Sequence, residues 1–260
     1  MSGPAAFWDS RLEGMFRSAQ RVGLFESLGR VYADFPEVTC DNCARCCFES
    51  PGVFFVEHLD ALRLLSDMPT ARREELLRRA LRELFFSWIE PDRTCIFLEP
   101  SGCAIYERRP LACRLFGVVS HVQRDQAEAE ARMAARHEAT RLELMGIKVP
   151  EAVITRALLS CDRVRDQRGR PVRVDAEAMA ARVADLDAAL LPREVVLQEF
   201  CFHSVGERLG AAAFGQETVH GMRLPLLRRA QSGETMEDLL EEVWQRAGLG
   251  DVLQTEVRDR

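Results

Sequence analysis

Nine cysteines stand in a chain of 260 residues, and seven of them fall between positions 40 and 113. They come in three pieces: Cys40-x-x-Cys43-x-x-Cys46-Cys47, then Cys95-Ile-Phe-Leu-Glu-Pro-Ser-Gly-Cys103, then Arg109-Pro110-Leu-Ala-Cys113-Arg114. Most of a helical segment separates the first piece from the other two. Thiolates gathered in this way are what a soft metal ion or an iron–sulfur cluster requires. Residues 95–117 are short on apolar periodicity and punctuated by Pro100, Gly102, Pro110 and Gly117. Such loop-rich backbone needs an external organiser, and a bound metal supplies one. The spacing therefore points to a metalloprotein.

A disulfide framework is the main alternative, and it belongs to secreted chains. The opening Met-Ser-Gly-Pro-Ala-Ala-Phe-Trp-Asp-Ser-Arg has no basic start, apolar run and small-residue cleavage site. No run approaches the length of a membrane span. With 47% hydrophobic residues, a chain of this size buries an ample core without covalent staples. The expectation is a reduced, cytoplasmic protein with no membrane association, where Cys-x-x-Cys spacing favours metal or redox chemistry. The formal net charge of −6 provides no global field for nucleic acid, so none is expected as a partner. Lys148 is the only lysine; positive charge is otherwise arginine. Arg45, Arg108, Arg109 and Arg114 lie beside cysteines and can offset an anionic thiolate site, or can be ordinary solvated side chains.

Helical signals dominate the rest, and the expected class is mainly α: a small irregular cysteine-rich core, surrounding helices and a C-terminal helical extension. Trp8, Leu12, Met15, Phe16, Ala19 and Val22 mark an N-terminal amphipathic helix ending before Pro36. His58, Leu59, Leu62, Leu64 and Leu65 suggest a short helix. Leu76, Leu77, Ala80, Leu81, Leu84, Phe85 and Trp88 mark a strong one between Pro69 and Pro91. At most one brief strand is expected, at Cys95–Leu98. Residues 123–145 read as a weakly amphipathic helix rich in Ala, Glu and Arg. A short helix to Ser160 and a turn over Asp166–Pro171 follow. Asp175 is placed to cap a helix carrying Met179, Val183, Leu186 and Leu190. An apolar helix is expected around Val195–Phe202. Thr235-x-x-Asp238 caps a last one, with Gly248 as its stop. The expected division is a metal domain over 1–165 and a helical extension over 166–260.

Cys40, Cys43, Cys46, Cys47, Cys95, Cys103 and Cys113 make seven candidate ligands, and Cys161 makes an eighth. Eight thiolates fill two four-thiolate sites, whether zinc or cubane clusters. Positions 40, 43 and 47 share a face on a helix, or wrap one centre in a tight loop. Cys46 and Cys47 are adjacent and diverge by about 100° in a helix, which suggests two neighbouring sites or one site and a spare thiol. Cys201, in Glu-Phe-Cys-Phe-His, reads as a buried core cysteine. His58, His121, His137, His203 and His220 have no metal-ligand pair spacing and read as structural or exposed.

The run Cys-x-x-Cys-x-x-Cys-Cys, followed by Cys-Ile-Phe-Leu and Gly-Cys-Ala-Ile-Tyr-Glu-Arg-Arg-Pro-Leu-Ala-Cys-Arg, resembles the zinc- or iron-chelating domains with a CxxCxxCC cysteine cluster. Flagellin lysine N-methylases carry a similar cluster. The resemblance covers residues 40–117 and extends to Cys161, whose Cys-Asp-x-Val is similar to a later cysteine in some members. It implies metal bound by the clustered cysteines and, through the methylases, a protein-modifying activity with a protein substrate or partner. Nothing in the last third matches a methylase, and there is no Gly-x-Gly-x-x-Gly nucleotide loop.

Cys-x-x-Cys-x-x-Cys with a remote cysteine favours an iron–sulfur cluster, of the 4Fe-4S kind, over zinc, which more often uses paired knuckles. A structural zinc module serving protein interaction stays open beside it. Arg109 and Arg114 flank Cys113 and are expected to hold the cofactor, donating to its sulfurs or to nearby carbonyls. No catalytic residue is identified.

Overall fold

The computed structural model describes residues 8, 10–40, 43–48, 50–156, 161, 163–192, 195 and 203–248. The protein is mainly α. The N-terminal apolar stripe forms two helices, α1 (Ser10–Arg21) and α2 (Leu24–Ala33), where one was expected. The break is at Gly23, whose φ of 71° is left-handed and turns the chain between them. After the first cysteine group come α3 (Phe55–Asp67) and α4 (Thr70–Phe86). The second cysteine piece folds as a minimal hairpin, β1 (Leu98–Glu99) paired antiparallel with β2 (Gly102–Cys103). The expected strand at Cys95–Leu98 is thus shifted, because the turn at Pro100–Ser101 sets the register Leu98↔Cys103.

The third piece opens with a 3₁₀ turn, Tyr106–Arg108, and continues as α5 (Leu111–Leu115). Next is α6 (His121–Leu144), 24 residues long and capped by Ser120, which accepts from the Gln123 amide. Its weak amphipathy is reflected in its burial: among its described side chains, only Ala139 and Leu142 enter the core. The expected helix to Ser160 appears as one turn, α7 (Glu151–Ile154), with 157–160 outside the described residues. Asp175 caps α8 (Ala176–Asp187), accepting from the Ala178 amide at 3.0 Å. Most of the helix expected at Val195–Phe202, with Cys201, lies outside the described residues.

Among the described residues, three further helices follow: α9 (Val205–Phe214), α10 (Gln216–Gln231) and α11 (Met236–Arg246). Thr235 caps α11 as expected, and Gly248 follows it with a φ of 61°. Pro225 sits inside α10, which is why no helix was foreseen there.

The hub is α4. It buries Leu76, Leu77, Ala80, Leu81, Leu84, Phe85 and Phe86 on most of its circumference, and α9 packs along it. Gly206 and Gly210 make that approach possible. A Cβ on Gly206 would lie 2.4 Å from the Glu83 carboxylate, and one on Gly210 would lie 3.0 Å from the Ala80 carbonyl. On the outer side of α4, Arg78 and Arg82 pair with Glu241 and Glu237 of α11, and Arg78 lies 4.1 Å over the Trp244 ring.

A second long-range tie joins α8 to α3. The buried Asp187 carboxylate accepts from the Phe55 and Val56 amides at 2.9 and 2.7 Å, satisfying two free donors at the start of α3. Residues on both sides of position 165 contribute to one apolar core. Among the described residues, no helix is long and apolar enough to cross a membrane.

Candidate metal centre

Four separated stretches of chain converge beside this core. Thr39 donates to the Arg165 carbonyl at 2.8 Å, laying the start of the cysteine loop against the segment after Cys161. Ala44 then takes a left-handed φ of 59°, a conformation few side-chain-bearing residues adopt. This reverses the chain between Cys43 and Cys46, and a 3₁₀ turn, Arg45–Cys47, follows. From Cys43 to Cys47 the first group is therefore a tight turn, in keeping with the loop geometry its spacing allowed.

The loop is held from behind. The Cys95 amide donates to the Cys47 carbonyl at 2.9 Å, and Arg156 donates to the carbonyls of Phe48 and Arg93. Register with Leu98 presents Cys103 from β2. Cys113 rides on α5, whose first amide, Leu111, donates to Glu57 at 2.6 Å. Glu57 also accepts from the Phe54 amide at 2.8 Å and from the Tyr32 hydroxyl, so one buried carboxylate joins α2, α3 and α5. Gly117 allows the chain after Cys113 to pass Cys161: its φ is 90°, and a Cβ would stand 3.1 Å from that of Cys161 and 2.7 Å from Val164.

The result is a cavity of about 40 Å³ lined by Cys40, Cys43, Cys46, Cys47, Cys103, Cys113 and Cys161, together with Arg109 and Arg114. Of the eight candidate ligands, Cys95 alone is not on this wall. It is buried behind it, close enough to Cys47 and Cys113 to raise their pKa values electrostatically. Among the described residues, no three His, Cys, Asp or Glu side chains meet closely enough to hold a single ion. The thiols share a wall without converging on a point.

Cys46 and Cys47, expected to diverge, bring their sulfurs within 3.9 Å of one another. Backbone azimuth fixes only where a side chain starts, and its torsions leave adjacent residues free to bring their ends together. That contact lets one thiolate accept from the other thiol. It pulls Cys46 down to about 6, with Arg109 helping, and pushes Cys47 up. Burial raises Cys95 to about 12, and raises Cys103 and Cys113 as well. Neighbouring thiols add to the rise at Cys113, while Arg109 opposes it. Buried thiols that repel one another as anions gain most from a cation placed among them. The donor set fits a thiophilic metal.

Arg109 and Arg114 are where the sequence put them, and their bonds go to carbonyls. Arg109 donates to the Tyr106 carbonyl at 2.9 Å and lies 3.7 Å over the Tyr106 ring. Arg114 donates to the carbonyls of Arg109 and Glu107 at 2.8 and 2.6 Å and stacks 4.2 Å over Tyr32. Tyr32 and Glu57 belong to this support, and sequence reasoning missed both. They lie on helices outside the cysteine-bearing pieces, and an acidic residue in an apolar helix was the one signal present.

The histidines whose side chains are described stay out of the site. His58 is buried and held neutral, its pKa lowered to about 3 by burial, against the Phe55 ring. His137 is exposed, and His203 lies 3.6 Å from Glu207. The side chains of His121 and His220 are outside the described residues.

No curated protein and no solved structure matches the chain. Residues 39–136, which hold every cysteine of the cavity wall but Cys161, match the CxxCxxCC family model, described as a "Putative zinc- or iron-chelating domain".

Proposed function

We propose that the chain is an iron–sulfur protein. Cys40, Cys43, Cys46, Cys47, Cys95, Cys103, Cys113 and Cys161 form the pool from which its ligands are drawn. The observation that carries this reading is the shared cavity: seven thiols from four separated stretches line one small space. Metal binding itself is the coarser statement that the family match supports. The lean to iron comes from the Cys-x-x-Cys-x-x-Cys triplet with remote partners, the ligand order of thiolate-held clusters. It rests on donor chemistry and common lining, since the thiols do not meet at a point.

When bound, such a cluster supplies one-electron redox chemistry or an anchor for loop structure. The chain's own residues do the rest. Glu57 positions α5 and its thiol, Arg109 places positive charge near Cys46, Cys103 and Cys113, and Arg114 ties the 107–109 turn to α5.

Anaerobic purification with iron, zinc and acid-labile sulfide analysis tests the proposal. Iron and sulfide, with a broad visible absorption that bleaches on dithionite, are expected. A colourless protein holding stoichiometric zinc overturns the iron reading and leaves a structural zinc module. Cys43→Ser and Cys103→Ser should each lower metal per chain and destabilise residues 95–117. Structural metal in small domains contributes an apparent 10–16 kcal/mol or so, which makes the loss of one thiolate easy to see. Unchanged metal and thermal stability in both variants would overturn the ligand assignment.

A further inference from the structure

Beside the thiol cavity, and separate from it, lies a larger recess of about 300 Å³ between α2, α3 and the 107–114 segment. The two share a single residue, Arg114. Three guanidinium groups, Arg63, Arg108 and Arg114, line the recess against two carboxylates, Asp60 and Glu107, which leaves a net positive charge. Two of the arginines are pre-oriented on aromatic faces, Arg63 at 4.7 Å over Phe25 and Arg114 at 4.2 Å over Tyr32. Stacking fixes the plane of a guanidinium and lowers the entropy lost when its edge binds an anion.

Asp60 is committed to Arg63, with bonds of 3.0 and 2.5 Å, and reaches Arg108 at only 3.5 Å. Arg108 is thus the donor most readily recruited by an incoming anion. Gly29, exposed in the middle of α2, lines the recess, and a Cβ there would meet nothing within 4 Å. Glycine there costs helix stability of about 0.5–1 kcal/mol relative to alanine and fills none of the recess.

We propose that this recess binds a small organic acid through its carboxylate, with Arg108 as the principal partner and Arg63 and Arg114 as fixed supports. Arginine forks match carboxylates in a bidentate way. A concave site with a few convergent polar groups is the usual form of a small-molecule pocket. The proposal does not depend on which metal the thiols hold.

Calorimetric titration of the metal-loaded chain with malonate tests it, with the neutral isostere malonamide as the control. Saturable binding of malonate and none of malonamide is expected. Arg108→Ala should weaken malonate by about tenfold or more. Gly29→Leu, which extends into open space, should abolish it while circular dichroism and metal per chain stay at the parent's values. Absence of saturable malonate binding by the parent, equal binding of malonamide, or parent-like affinity in both variants overturns the site. Because metal content is read in the same samples, loss of metal in the parent is recognised as failure of the thiol reading and not of this one.

Discussion

Arg114 concentrates the residue-scale argument. Its two bonds to carbonyls span the turn that leads into Cys113, and its plane stacks on Tyr32, which in turn donates to Glu57. Arg114→Ala should remove the tie and withdraw a positive charge that favours the ionised form of buried Glu57. The expected outcome is a small stability loss, roughly 1–2 kcal/mol for two charge-assisted bonds of this exposure. Faster metal loss to a chelator or a shifted reduction potential should accompany it, with circular dichroism unchanged. Parent-like retention, potential and stability together would reduce Arg114 to a surface residue. At this scale the grouping of the cysteines with Arg109 and Arg114 was legible, because local spacing brings residues of one piece together. Glu57 and Tyr32 were not, because what matters in them is a bond across 25 positions of sequence.

At the scale of elements, the contact between α4 and α9 decides how the cysteine segment is backed. Gly206 and Gly210 let the helices approach until Glu83 of α4 accepts from Ser204, the cap of α9, and from Ser50, which lies three residues past Cys47. Gly206→Ala gains about 1 kcal/mol of helix propensity. It also pushes a methyl to 2.4 Å from a carboxylate held by both serines, and overpacking of this sort costs typically 1–3 kcal/mol. A net loss of stability is expected. Gly14→Ala on α1, where a Cβ meets nothing within 4 Å, should instead stabilise by about 0.5–1 kcal/mol. Denaturant midpoints of the two variants give the comparison, and a gain in both would show that the α4–α9 spacing is slack. Helices α3, α4, α8 and α11 were readable from periodicity and caps. The α9–α10 pair was not, since Gly206, Gly210, Gly221 and Pro225 are residues that disfavour helix unless packing tolerates them.

Across the whole molecule, buried carboxylates such as Asp187 and Glu83 contribute to the response to pH. Burial raises Asp187 to about 7 from an ordinary 3.8, against the opposing bonds from Phe55 and Val56, and raises Glu83 to about 7 from 4.5. A carboxylate with a raised folded-state pKa binds its proton more tightly folded than unfolded. Its contribution is complete below the unfolded value and is lost as pH climbs through the folded one, at up to about 1.4 kcal/mol per pH unit. Asp187→Asn keeps an acceptor for one of the two α3 amides and sets its NH2 against the other, a cost that does not vary with pH, and it removes this dependence. The stability of the variant relative to the parent should therefore increase between pH 5 and pH 8, as read from urea midpoints measured in pairs so that metal loss cancels. A constant or decreasing difference would place Asp187 as an ionised helix cap throughout.

The sequence by itself determined the chemistry: thiol spacing selects a thiophilic metal, and apolar periodicity with caps selects helices, because both are properties of residues a few positions apart. Only the tertiary structure decided which thiols share a wall and that Cys95 stands behind it. It also brought the sulfurs of Cys46 and Cys47 within 3.9 Å and opened a second, arginine-lined recess next to the first. Those outcomes depend on side-chain torsions, on one left-handed residue at Ala44, and on long-range bonds from Glu57, Arg156 and Arg165. No local pattern encodes them, because each depends on segments that meet only once the core has formed.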